Sequence, residues 1–320
     1  MRPLDRSLLF VTGKGGTGKT TIAAATALSA AAEGRRVLLV EMDAKGSLAE
    51  AFDTAPLTFE PRRVDLPSLR ASGGEVHLMA MNTEDSLREY LRVIAKVPLV
   101  GRIGPLARTF DFVADAAPGV KEILAVGKVC HEVRLGTYDL VVVDSEASGH
   151  VVAQLDAPRA IRGLVQVGPI RDQTEWMLEI LGDQRRTGLL VVATPEEMPV
   201  TEAVELVGRV RSTTDVVVAG VVVNRVLPRW FAGPDADVFA ALAAAHLPDP
   251  PAVPRGLTTI IDAAAGVEAR RVSGSEQFVR LRDALPELPV TVVPELFPRA
   301  GGRRVATLAA EHLADEWGAA

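Results

Sequence analysis

Near the start of the chain the sequence reads Val11-Thr12-Gly13-Lys14-Gly15-Gly16-Thr17-Gly18-Lys19-Thr20-Thr21. An apolar run at residues 8–11 leads into this stretch and an Ala-rich segment follows it, so we predict a strand, a loop and a helix. Glycines allow backbone N–H groups to turn inward on a polyphosphate, and the positive end of the following helix faces the same anion. The spacing G-x-x-x-x-G-K-[ST] is therefore typical of a phosphate-binding loop.

Two residues of this loop have specific predicted roles. Lys19 is expected to reach the β- and γ-phosphates of a nucleotide, and the Thr20 hydroxyl to bind Mg²⁺. The alternative is a Gly-rich turn that matches by chance, which the flanking strand and helix disfavour. The predicted cofactors are ATP and Mg²⁺, and the predicted nucleotide contacts come from Gly13, Lys14, Gly15, Gly16, Thr17, Gly18, Lys19, Thr20 and Thr21.

A second lysine, Lys14, directly follows the first glycine of the loop. The pattern K-G-G-x-G-K-[ST] resembles the deviant Walker A ATPases, which include plasmid-partition, septum-placement, arsenite-pump and tail-anchored-protein targeting ATPases. In them this lysine reaches the nucleotide of a partner chain across a dimer. The resemblance therefore implies that Lys14 acts in trans, where a cation would neutralise charge during phosphoryl transfer.

The composition limits the class of protein. With 320 residues, 48% hydrophobic and 24% charged, the chain is long enough to bury a large core, and we predict one α/β domain over residues 1–320. The net charge of −6 gives no electrostatic reason to expect a nucleic-acid partner. One cysteine, Cys130, excludes an intramolecular disulfide and a CxxC metal site, and we expect this residue to be buried packing.

The location of the protein follows from what precedes the first strand. Residues 1–5 run into that strand without a signal peptide, and no stretch approaches about 18 uninterrupted apolar residues. We therefore expect a cytoplasmic protein without stable membrane insertion.

The order of strand, loop, helix and strand predicts a doubly wound, mostly parallel sheet. Residues 37–40 form an unbroken apolar run, as in a strand that is covered on both faces. Residues 53–75 lack a sustained period and are predicted to be a loop, and a closing helix at about 302–317 is predicted to pack on the sheet. Two long helical segments are expected, an inserted subdomain at 84–135 and a further segment at 230–286.

The second predicted strand runs into Asp43, over the expected phosphate site. Asp43 is our candidate for orienting or deprotonating the attacking water, although a helix cap is the structural alternative. Residues 43–52 resemble D-P-A-H-S-L-x-x-x-F, the first switch of the arsenite-pump and tail-anchored-protein targeting family. The chain keeps Asp43, Ser47, Leu48 and Phe52, with Ala44 in place of the proline and Gly46 in place of the histidine.

The apolar run at 138–143 ends at Asp144, the Walker B arrangement in which a carboxylate holds Mg²⁺ through water. The block from Asp144 to His150 resembles D-T-A-P-T-G-H, the second switch of the same family, with Ala147 in place of the proline. The resemblance implies that the Gly149 N–H contacts the γ-phosphate and moves on hydrolysis. His150 could relay that movement, or be a structural histidine. The predicted switch residues are therefore Asp43, Asp144, Gly149 and His150.

Two residues at strand ends are candidates for the base. By resemblance, Asn224 lies at the adenine, where an amide can both donate and accept hydrogen bonds, and relatives wrap the loop beginning at Pro294 around the same ring. Without the resemblance, Asn224 could equally be a turn residue that ends a strand.

Taken together, the resemblance implies a Mg²⁺-dependent ATPase whose nucleotide-driven dimer closure switches a helical client-binding subdomain. The chain has one such loop, so we expect a homodimer or a heterodimer with a paralogous ATPase chain. A metalloid site needs several thiolates, and one cysteine disfavours it, so we leave the client as an unidentified apolar segment or membrane protein. The alternative is a nucleotide-dependent scaffold or regulatory module with little turnover, which need not retain Asp43.

Overall fold

The computed structural model describes residues 1–43, 45–82, 84–86, 89, 119–164, 169–244, 255–297 and 301–318. Within these ranges the strands are β1 (Leu8–Gly13), β2 (Arg36–Glu41), β3 (Arg62–Arg63), β4 (Glu75–Ala80), β5 (Leu140–Asp144), β6 (Thr187–Ala193), β7 (Val218–Val226) and β8 (Val290–Pro294). The helices are α1 (Lys19–Ala32), α2 (Ser47–Ala51), α3 (Val120–Leu135), α4 (Ser148–Leu164), α5 (Pro169–Gly182), α6 (Glu197–Thr213), α7 (Pro234–Ala244), α8 (Arg255–Ala284) and α9 (Arg303–Gly318).

The strands form one sheet in the order β3-β4-β2-β5-β1-β6-β7-β8. Neighbouring strands are parallel except β3, which pairs antiparallel with β4 at one edge. Every residue of β1, β5 and β6 is buried, because helices cover both faces of the central strands. The α/β fold with a doubly wound, mostly parallel sheet is confirmed.

Helices α1 and α9 pack together on one face of the sheet, with the short α2 beside them. The alanines of α1 allow a close approach, and the Ser29 hydroxyl donates to the carbonyl oxygen of Ala310 at 3.0 Å. Trp317 of α9 is buried, and its indole N–H donates to the Thr291 hydroxyl at 2.8 Å. The closing helix therefore packs on the sheet, as predicted.

The opposite face carries α3, α4, α5, α6 and the end of α8. Cys130 of α3 is buried in this apolar layer, and burial raises the pKa of its thiol to about 12. The expectation that Cys130 is packing rather than a reactive group is confirmed. Leu281 and Leu285 of α8 are also buried here, whereas Leu257 and Ile260, nearer its start, are exposed.

Two regions differ from the sequence predictions. No element was predicted for residues 151–186, yet α4 and α5 occupy most of them. Residues 53–75, predicted to be a loop, include β3 and a 3₁₀ turn at Pro67–Leu69. A two-residue strand has no periodicity of its own, and β3 exists because Arg62 and Arg63 pair with β4.

The predicted helical insertion at 84–135 is described only in part. Residues 84–86, 89 and 119–135 lie inside the described ranges, whereas 87–88 and 90–118 lie outside them. The Lys128 ammonium contacts Glu89 at 2.9 Å and Glu132 at 2.7 Å, which joins Glu89 to α3.

The predicted helical segment at 230–286 contains α7 and α8, and residues 245–254 between these helices lie outside the described residues. Each residue of α7 is exposed or partly exposed. Among the described helices, none has the length and apolar character needed to cross a membrane.

Candidate functional site

The loop between β1 and α1 follows a path that its glycines permit. A Cβ on Gly13 would lie 2.0 Å from the carbonyl oxygen of Val192 on β6, so no larger residue fits at the end of β1. Gly18 has a left-handed backbone, with φ of 91°, and a Cβ there would lie 2.4 Å from the amide nitrogen of Asn224. The loop is therefore seated tightly against β6 and β7.

Side chains of the loop hold this path from within. The Thr17 hydroxyl and the Lys19 ammonium both donate to the carbonyl oxygen of Lys14, at 2.8 Å and 3.4 Å. Partial burial lowers the pKa of Lys19, while the charges of Asp144, Asp43 and Glu202 oppose this shift. Thr20 and Thr21 lie in the first turn of α1, directly after Lys19.

The two predicted Mg²⁺ ligands lie together. The Thr20 hydroxyl donates to Oδ2 of Asp144 at 2.7 Å, and strand register places Asp144 beside Val11 of β1. The other carboxylate oxygen of Asp144 is buried and has no hydrogen-bond partner among the described residues. A hydroxyl and a carboxylate oxygen are hard donors of the kind that Mg²⁺ prefers, so these residues fit the ion.

The buried position of the Asp144 carboxylate makes its charged form costly. Burial raises its pKa to about 6, and the nearby charges of Glu41 and Asp43 act in the same direction. The Thr20 hydrogen bond and the Lys19 ammonium lower the pKa but do not cancel the effect of burial. A bound divalent cation would relieve this cost.

Asp43 lies in the segment between β2 and α2, at the same edge of the sheet. Its side chain is 42% exposed and forms an ion pair with Lys45 in the same loop. Its charge acts on both Lys19 and Asp144. The structure therefore places Asp43 near the phosphate loop, and its role toward water stays a prediction.

Lys14 forms an ion pair within its own chain. Its ammonium lies 3.4 Å from Oε2 of Glu202 on α6, while Oε1 of Glu202 accepts a hydrogen bond from the hydroxyl of Ser148, the first residue of α4. Sequence reasoning gave Glu202 no role, and the available signal was its place in an acidic helix after a buried strand. Glu202 thus connects the phosphate loop to Ser148, which lies inside the predicted second switch.

The remaining switch residues lie at the start of α4. Gly149 is exposed in the first turn of the helix, and the His150 side chain is 74% exposed, 3.9 Å from Glu146. The carbonyl oxygen of Glu146 accepts a hydrogen bond from the Thr12 hydroxyl at 3.0 Å, which joins this segment to β1. The γ-phosphate contact of Gly149 and the relay role of His150 stay predictions.

The two candidate adenine residues lie on neighbouring strands. Asn224 is buried on β7, donates to the carbonyl oxygen of Thr17 at 2.8 Å and accepts from the Arg225 N–H at 3.0 Å. Pro294 ends β8, where it pairs in register with Val226. Asn224 therefore supports the backbone of the phosphate loop, and contact of either residue with adenine stays a prediction.

Glu41 is a residue of this site that sequence reasoning missed. It ends β2, pairs in register with Asp144 and is only 3% exposed. Its Oε1 accepts hydrogen bonds from the backbone N–H groups of Ser47 at 2.7 Å and Leu48 at 3.4 Å. The available signal was a charged residue directly after the apolar run of a buried strand.

Comparison with known proteins gives a family for this arrangement. The sequence model of the family described as Anion-transporting ATPase matches residues 6–177, which include the phosphate loop, Glu41, Asp43 and Asp144. The chain is 34% identical over 227 residues to the ATPase BagA of Mycobacterium tuberculosis, an alignment that covers 69% of this chain and 65% of that protein.

More distant relatives carry other names. The chain is 28% identical over 217 residues to the arsenical pump-driving ATPase of Escherichia coli, covering 61% of this chain and 35% of the relative. It is 27% identical over 172 residues to the ATPase get3 of Neurospora crassa, covering 53% and 49%. The aligned part is therefore less than two thirds of the length of each of these three relatives.

Proposed function

Because the chain belongs to the anion-transporting ATPase family, as its loop and switch motifs predict, we propose that it is a Mg²⁺-dependent ATP hydrolase. The observation that carries this proposal is the hydrogen bond of 2.7 Å between Thr20 and Asp144 beside the loop. It brings together the hydroxyl and the carboxylate that the reaction requires. The hydroxyl follows the phosphate loop, and the carboxylate ends β5.

The residues of the site have complementary roles in this reaction. A Mg²⁺ ion held by Thr20, and by Asp144 through water, would neutralise charge on the β- and γ-phosphates. Lys19 and the N–H groups of the loop bind the same phosphates. Asp43 leaves Lys45 and orients the attacking water or accepts its proton, as the bond between the γ-phosphorus and the bridging oxygen breaks to give ADP and phosphate.

We propose that the active form is a pair of chains. Lys14 lies against Glu202 in the single chain, so reaching a second nucleotide requires it to leave this ion pair. Movement of Lys14 away from Glu202 would also alter the contact of Glu202 with Ser148 at the start of α4. This link offers a route by which closure of the dimer changes the helical layer.

The client is proposed to bind the helical subdomain at 84–135. An apolar segment or a membrane protein fits this proposal better than arsenite, since metalloid binding requires several soft thiolates and the chain has one cysteine. The partner in the dimer is a second copy or a paralogous ATPase chain.

A regulatory module with little turnover is the second candidate function. Two observations favour it: the ion pair of Asp43 with Lys45, and that of Lys14 with Glu202. Both contacts occupy groups that hydrolysis would require.

The ATPase rate per chain, measured with Mg²⁺ over a range of protein concentrations, tests the proposal. A rate that climbs and saturates supports an active homodimer. Lys14→Ala should abolish turnover and nucleotide-induced pairing, and Asp43→Asn should retain ATP binding while hydrolysis slows at least about tenfold. The matched control is Arg282→Ala, an exposed cation on α8 that should leave the rate unchanged.

Three outcomes would count against parts of the proposal. Turnover by Asp43→Asn at the wild-type rate removes Asp43 from the mechanism. Undiminished activity of a monomeric Lys14→Ala variant refutes the trans role. ATP binding without turnover at any concentration favours the regulatory module or a missing paralogous chain.

A further inference from the structure

Glu41 both begins and closes the loop that carries Asp43. Its backbone ends β2, and its carboxylate reaches across the loop to the N–H groups of Ser47 and Leu48, at 2.7 Å and 3.4 Å. These N–H groups open α2, and Gly46 before them has a left-handed backbone with φ of 82°. The Glu41 side chain therefore fixes the residues that directly follow the segment 42–46.

The second oxygen of the same carboxylate has a different environment. Oε2 of Glu41 is buried and has no hydrogen-bond partner in the part of the chain that the structure describes, and the same holds for Oδ1 of Asp144. Glu41 and Asp144 are paired in register on adjacent strands, and the charge of Glu41 acts on Asp144. Two buried carboxylates of like charge repel each other unless a cation lies between or beside them.

A purely structural cap does not account for this arrangement. Capping the two N–H groups requires one acceptor oxygen and no net charge, which a glutamine would supply. A buried carboxylate oxygen without a partner is costly, and a like-charged neighbour adds to that cost. A cation bound at Thr20 and Asp144 would offset the cost of the negative charge at position 41.

We propose that Glu41 is a positioning residue that couples the cation at Thr20 and Asp144 to the loop carrying Asp43. One oxygen of the carboxylate accepts the two N–H groups of the loop, and its negative charge would add to that of Asp144 in holding a cation. Cation binding therefore stabilises the conformation in which Asp43 is presented to the nucleotide. This inference rests on the proposed function for its consequence in hydrolysis.

Two variants separate the cap from the charge. Glu41→Ala removes both, whereas Glu41→Gln keeps an acceptor for Ser47 and Leu48 and removes the charge. Glu50→Gln, an exposed glutamate on α2, is the matched control. Amide hydrogen exchange across residues 42–48 of the nucleotide-free protein should accelerate at least about tenfold at Ser47 and Leu48 in Glu41→Ala, and remain near wild type in the other two.

The charge is tested by Mg²⁺ titration in the presence of ADP, followed by calorimetry and by the same exchange measurement. Mg²⁺ should slow exchange of residues 42–48 in the wild type and in Glu50→Gln. In Glu41→Gln this effect should be lost, and the affinity for Mg²⁺ should fall at least about fivefold while ADP affinity in EDTA stays constant.

Two results would overturn the inference. Unchanged exchange at Ser47 and Leu48 in Glu41→Ala contradicts the closure of the loop by Glu41. Wild-type Mg²⁺ affinity and a retained Mg²⁺ effect on exchange in Glu41→Gln contradict the link to the cation. Neither measurement requires turnover, so both tests stay valid in a wild-type protein that binds nucleotide without hydrolysing it.

Discussion

Three carboxylates, those of Glu41, Asp43 and Asp144, lie at the carboxyl edge of β2 and β5. They differ in environment: Glu41 and Asp144 are buried, whereas Asp43 is exposed and paired with Lys45. Burial makes the charged form of a carboxylate costly unless a cation is near, whereas an exposed carboxylate keeps access to water. These environments favour a role of the buried pair in holding a cation and a role of Asp43 toward the attacking water.

Asp144 should make the stability of the metal-free protein depend on pH. Its folded-state pKa of about 6 exceeds the ordinary value of 3.8. As the pH falls, the folded protein therefore binds the proton at a higher pH than the unfolded protein does. The penalty is therefore fully present above pH 6 and disappears as pH falls toward 4. Two pKa units correspond to about 3 kcal/mol, so Asp144→Asn should lose an advantage of this order between pH 7 and pH 4.

Urea unfolding of both proteins in EDTA across this pH range measures the effect. A difference in unfolding free energy that stays constant between pH 4 and pH 7 would show that Asp144 titrates near its ordinary pKa.

Glu202→Gln should lower the free energy needed to release Lys14 from its ion pair and so favour pairing of two chains. The ion pair of Lys14 with Glu202 is about one-third exposed, and such pairs contribute about 1 kcal/mol or less. In an Asp43→Asn background with ATP and Mg²⁺, Glu202→Gln should therefore lower the concentration for half-maximal pairing about two- to fivefold. Sedimentation velocity measures the pairing, and Glu205→Gln on the exposed side of α6 is the control.

A shift of pairing to higher concentration in Glu202→Gln would contradict this prediction. It would place the contribution of Glu202 in the paired state rather than in the single chain.

At the scale of elements, the sequence predicted those helices and strands that apolar runs and motif spacing determine locally. The strand before the loop, the helix after it and the strand ending at Asp144 have apolar runs and motif spacing that do not depend on distant partners. α4 and α5 were not predicted. In α4 the helical pattern is obscured because the helix contains Pro158 and begins inside the second switch block. The roles of Glu41 and Glu202 depend on strand register and on a helix crossing the loop, which spacing along the chain does not reveal.

The two ends of α8 should respond differently to truncation of a side chain. Leu281 is fully buried against the helical layer, whereas Ile260 is 66% exposed. Leu281→Ala should lower the free energy of unfolding by about 2–5 kcal/mol, because it removes buried methyl groups and leaves a cavity. Ile260→Ala should change it by about 0.5 kcal/mol or less.

Denaturant unfolding of both variants measures the contrast. Equal losses for the two variants would mean that the start of α8 is covered in solution.

At the scale of the whole molecule, the support of the phosphate loop comes from distant parts of the chain. α1, which begins in the loop, packs against α9, and α9 is fixed to β8 through Trp317 and Thr291. β6 and Asn224 of β7 hold the loop itself. The nucleotide site therefore depends on elements outside the match to the family model, which ends at residue 177.

Trp317→Ala should destabilise the whole protein and weaken its nucleotide site. The side chain is 5% exposed, so its removal should cost about 3–5 kcal/mol. Trp317→Phe keeps most of the packing and should cost less, chiefly the hydrogen bond to Thr291, at about 1 kcal/mol. Thermal unfolding and ADP affinity measure both effects, with the half-exposed Trp230→Ala as the control.

An ADP affinity that stays at the wild-type value in Trp317→Ala, at a temperature where the variant remains folded, would show that α9 is dispensable for the site.

The contact between Ser29 and Ala310 also has a consequence for synthesis of the protein. The two residues are 281 positions apart, so α1 leaves the ribosome long before the helix that covers it. A domain generally folds as a unit during synthesis, and a contact of this sequence separation forms late. During most of translation α1 therefore has no α9 to cover it, and the packing that supports the phosphate loop is complete only after residues 303–318 have emerged.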